Sequence, residues 1–63
     1  MNNPRRKKIE NIINQLEDIK NEEEEYLENM PENLQDSERA EQSQESIDNL
    51  EYAIDNLNEI LNL

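Results

Sequence analysis

Two runs of apolar residues at helical spacing approach one proline from opposite sides. Pro31 is the only proline in the body of the chain, and no glycine occurs anywhere. Proline disfavours helical backbone at the residue before it, so the first run should stop near Met30. The stretch Met30-Pro31-Glu32-Asn33-Leu34-Gln35-Asp36-Ser37 therefore reads as the bend of a helical hairpin.

Before the bend, Ile9, Ile12, Leu16, Ile19, Tyr26 and Met30 recur at alternating three- and four-residue steps, the coiled-coil form of helix periodicity. As a heptad, Ile9, Leu16, Glu23 and Met30 are a positions and Ile12, Ile19 and Tyr26 are d positions. Ile13 and Leu27 widen this stripe on the e side. Pro4 suits a first helical turn, and Asn2 or Asn3 can cap it. A helix over about residues 4–29 is predicted. After the bend (residues 30–36), Ala40, Ser43, Ile47, Leu50, Ile54, Leu57 and Leu61 repeat the pattern, with Ala53 and Ile60 on the g side. Asp36 or Ser37 can cap this second helix, over about residues 37–61, and Glu38 suits its positive end.

Two helices of matched length, roughly 35–40 Å each at 1.5 Å per residue, about a short connection predict an all-α fold. It is an antiparallel two-helix hairpin, coiled-coil-like, forming one domain over residues 1–63. Folding at the bend should set Ile19 against Ile47, Leu16 against Leu50 and Ile12 against Ile54. Glu23 should meet Ser43 and Gln44 in a polar layer, and Leu34 should tuck over the hairpin end. A chain of 63 residues makes a marginal core alone. Each stripe is three positions wide, whereas a pair of helices buries only its centre. Ile13, Leu27, Ala53 and Ile60 are thus expected to stay partly wet and to form the oligomer interface of a homodimer, a four-helix bundle built by two-fold symmetry.

The chemistry open to the chain is narrow. Without cysteine or histidine it has no disulfide, no thiol nucleophile and no ordinary zinc, haem or di-metal carboxylate ligand set. Ser37, Ser43 and Ser46 have no histidine base. Glu22 to Glu25 point in four directions from one helix and read as solvated surface, not as a cation site. A protein that is not an enzyme, with no cofactor and no metal, is expected. No apolar run is long enough for a membrane span or signal peptide, and the expected location is the cytoplasm.

Formal net charge is −11, with a positive excess only in the first ten residues. Arg5-Arg6-Lys7-Lys8 lacks interleaved aromatics, and pairing with Asp55, Glu59 and the C-terminus is expected before direct nucleic-acid contact. Carboxylates line the outer side of the second helix: Glu41, Glu45, Asp48, Glu51 and Asp55, with Tyr52 among them on the face opposite the seam. Rows of negative charge at helical spacing resemble a phosphate backbone, and Tyr is favoured at interfaces. The expectation is a protein-interaction module, an acidic inhibitor occupying the basic surface of a nucleic-acid-binding protein. The alternative is a structural, self-assembling coiled coil whose acidity only keeps it dispersed.

The stretch Asn29-Met30-Pro31-Glu32-Asn33-Leu34-Gln35-Asp36-Ser37-Glu38-Arg39, preceded by Arg5-Arg6-Lys7-Lys8-Ile9 and followed by Ile47-Asp48-Asn49-Leu50, resembles a set of short acidic proteins encoded in phages and integrated elements of Gram-positive bacteria. The likeness runs over nearly the whole chain. It implies a small mobile-element protein acting in a bacterial host, where proteins of this kind often block defence or DNA-handling machinery. It assigns no residue a role.

Overall fold

The computed structural model describes residues 1–63 and consists of α1 (Asn3–Glu28), a single 3-10 turn (Glu32–Leu34) and α2 (Glu38–Leu61). The helices have 26 and 24 residues and pack along their length into a rod of 49 × 15 × 12 Å. Their antiparallel sense is fixed by three cross-helix ties. Arg6 donates from its guanidinium to the Leu61 carbonyl. Lys20 Nζ lies 3.5 Å from Glu51 Oε1, and Ser43 Oγ donates to Glu23 Oε1 at 2.8 Å.

Local signals place the helix ends. The Asn2 side chain accepts from the Arg5 N–H at 3.0 Å, and Pro4 sits in the first turn, where its missing N–H has no intrahelical acceptor to lose. At the bend, Pro31 is extended (φ −55°, ψ 145°). No residue takes a positive φ, so this glycine-free turn closes by ordinary means. Leu34 N–H donates to the Pro31 carbonyl at 2.8 Å, Ser37 N–H to Leu34 at 3.0 Å, and Gln35 Nε2 to the Met30 carbonyl at 3.2 Å. Ser37 then caps α2, its hydroxyl accepting from the Ala40 N–H at 3.3 Å.

The seam on α2 follows the expected positions: Ala40, Ser43, Ile47 and Ile54 are buried, Leu50, Leu57 and Leu61 half-buried. The seam on α1 does not. Ile13 is only 6% exposed, whereas Ile12, Ile19 and Tyr26 are 46%, 49% and 47% exposed. The expected Ile12, Ile19 and Tyr26 are replaced by Ile13, Lys20 and Leu27, one residue further along, beside the correctly placed Ile9, Leu16, Glu23 and Met30. Ile54 lies beside Glu17 and Lys20, and Ile47 beside Glu24 and Leu27. The rotation has a physical cause. It turns Leu27, half-buried, towards the seam in place of Tyr26, whose hydroxyl would need a partner inside. It also lays the aliphatic stem of Lys20 along the seam while the ammonium reaches two carboxylates at the rim. Ile13 is thus core of the single hairpin and not a wet flanking residue. Leu34 is also misplaced by the sequence reading. It is 45% exposed and lines an open hollow with Met30 and Pro31 at the bend.

Candidate protein-binding face

The two sides of the seam differ in chemistry. One side carries Glu17, Glu24 and Glu51 around Lys20. Lys20 Nζ stands 3.5 Å from both Glu24 Oε1 and Glu51 Oε1, with its side chain one-quarter exposed. Desolvation against α2 is the largest single influence on Lys20 and lowers its pKa. The charges and hydrogen bonds of Glu24 and Glu51 together outweigh it, so the pKa lies above the ordinary lysine value. Glu24 and Glu51 are therefore held by a cation that stays charged through the neutral range.

The outer face of α2 carries the carboxylates singled out above. Asp48, Glu51, Tyr52 and Asp55 ring a shallow hollow of about 250 Å³. Their spacing of three and four residues sets them on adjoining turns. Tyr52 is 70% exposed, its ring free to lie under a cation. Gln44 Nε2 donates to Asp48 Oδ1 at 3.1 Å and steadies that carboxylate one turn away. Glu41 and Glu45 continue the surface towards the bend and are exposed, but do not line the hollow. Only Glu51 of the group is in an ion pair, with Lys20.

The basic segment behaves differently from expectation. Arg6 alone is tied to α2, through the last-turn carbonyl of Leu61, where a cation complements the negative helix end. Ion pairing in the molecule is confined to Lys20, so Arg5, Lys7 and Lys8 do not reach Asp55 or Glu59. Beyond the reach of the sequence reading was an apolar side. Tyr26 shares a polar hollow with Glu23, Arg39, Gln42, Ser43 and Ser46 and a more apolar one with Met30, Pro31 and Leu34 at the bend, about 650 Å³ in volume. The seven-residue spacing of Ile12, Ile19 and Tyr26 was the available signal, read there as core. No helix is long and apolar enough to cross a membrane.

Comparison with protein-family models, with curated proteins and with solved structures finds no match to this chain.

Proposed function

We propose that the chain is a non-enzymatic protein-interaction module whose outer α2 face docks on the basic surface of a nucleic-acid-binding protein. The observation that carries this reading is the ring of Asp48, Glu51, Tyr52 and Asp55 about an open hollow, with Tyr52 exposed and Asp48 and Asp55 outside any ion pair. Carboxylates on successive turns of a straight helix offer arginine and lysine side chains several acceptors, and Tyr offers a ring for cation–π contact. Binding of this kind is fast and salt-sensitive. In keeping with the resemblance to phage and integrated-element proteins, the chain acts as a cytoplasmic inhibitor in a bacterial host, competing with nucleic acid for its target.

The test is capture from host extract at low salt, with duplex DNA as competitor. Basic nucleic-acid-binding proteins should be retained, released by salt, and displaced by the DNA. A chain carrying Asp48→Asn, Tyr52→Ala and Asp55→Asn should retain little. An unchanged set of captured proteins with that variant, or none with the native chain, overturns the reading.

A further inference from the structure

We propose that the apolar side of the hairpin takes a second copy of this chain, packed antiparallel so that α1 lies across α1 of that copy. The face is separate from the carboxylate ring, so this inference stands or fails independently of the proposed target.

The need for an occupant comes from burial. Only 6 of 63 residues are buried, and no large side chain is fully enclosed, a small core for a chain that must hold itself together. Meanwhile Ile12, Ile19 and Tyr26 stand exposed in a single row along α1. Ala53 and Ile60, half-buried at the seam edge of α2, lie on the same side, because they continue the row of Arg39 and Ser46 that faces Tyr26.

Charge and symmetry say what that occupant is. Row Arg5-Ile12-Ile19-Tyr26 and the neighbouring row Lys8-Gln15-Glu22 read sensibly against their own reversals. The first sets Ile12 on Ile19 and Arg5 on the ring of Tyr26, a cation–π pair. The second sets Lys8 on Glu22 and Gln15 on itself. A two-fold contact requires this reciprocity. Both rows have their midpoint near the middle of α1 (Asn3–Glu28), so the two copies overlap along their full length. The small residues Ser46 and Ala53 allow close approach of the second helix pair. Glu22 is the one carboxylate in these two α1 rows, and Glu23, which also lines the hollow beside Tyr26, accepts from the Ser43 hydroxyl, although the chain has 17 acidic residues. Two strongly negative chains can therefore meet here with most of their acids facing away. The side measures 49 × 15 Å, so a pair would bury on the order of 1,400 Å² in total, the size of a specific interface.

Sedimentation equilibrium of the whole chain tests the proposal. The expected mass is twice the 7.5 kDa of one copy. Ile19→Glu, at an exposed site, should return it to a single copy. Lys8→Glu and Glu22→Lys should each weaken association by about tenfold, allowing two contacts per dimer, and the double exchange should restore most of the loss. That restoration keeps the test meaningful if Ile19→Glu also lowers helicity by circular dichroism. A single-copy mass at millimolar concentration, a dimer indifferent to Ile19→Glu, or an exchange that restores nothing would each overturn it.

Discussion

Lys20 shows how one residue can decide the rotation of a helix. Its stem lies on the seam and its ammonium bridges Glu24 on α1 to Glu51 on α2, so the ion pair works as a clasp between elements. Because its pKa is raised by these partners, its contribution is complete below the ordinary lysine pKa and is lost as pH climbs through the raised one. The melting temperature should therefore keep this contribution up to about pH 10 and lose it on the alkaline limb beyond about 10.4. Lys20→Arg, whose guanidinium stays charged there, should fall less. Equal loss in both proteins would show that the clasp does not couple to stability. Lys20 also explains what the sequence hid. At the paired choices Ile12 or Ile13, Ile19 or Lys20, Tyr26 or Leu27, counting apolar residues favours the first of each pair. The structure takes the second because a lysine stem is apolar and a tyrosine hydroxyl is not. On α2 no such choice arose: Ile47, Leu50, Ile54 and Leu57 admit one seam, and that seam was legible. Asp48, Glu51, Tyr52 and Asp55 were legible for the same reason, since the outer face follows once the inner one is known.

At the scale of elements, the bend does more than reverse the chain. Ser37 accepts from the Ala40 N–H and donates to the Leu34 carbonyl, joining the 3-10 turn to the start of α2. Asn2 caps α1 at the open end, where fraying costs little. Ser37→Ala should therefore cost about 1 kcal/mol, about 4–8 °C in melting temperature for a domain of this size, and Asn2→Ala clearly less. A thermal melt of both variants at matched concentration checks this. A larger loss for Asn2→Ala would mean that the open end, not the bend, limits stability. The helix limits were readable from Pro31 and the capping residues, which left the cap of α2 open between Asp36 and Ser37; the structure uses Ser37. The exposure of Leu34 beside buried Met30 and Ala40 was not readable, because burial at the bend depends on the space left between two helices, which no local pattern encodes.

For the whole molecule, a net charge of −11 on a rod this thin is a standing repulsive load. The favourable pairs, Lys20 with Glu24 and Glu51, are few beside it. Added salt should screen repulsion more than attraction. Melting temperature should rise with sodium chloride over the range in which the proposed docking would weaken, so stability and that affinity should move in opposite directions. A melting temperature that falls with salt would place the clasp above the overall repulsion.

The tie between Arg6 and the last turn of α2 brings the two chain ends to one pole of the rod. A tether, dye or fusion partner attached at either terminus would therefore sit at that pole, and the elbow would point outward. Chains grafted to a surface through one end would stand like bristles, with their flanks open to passing molecules.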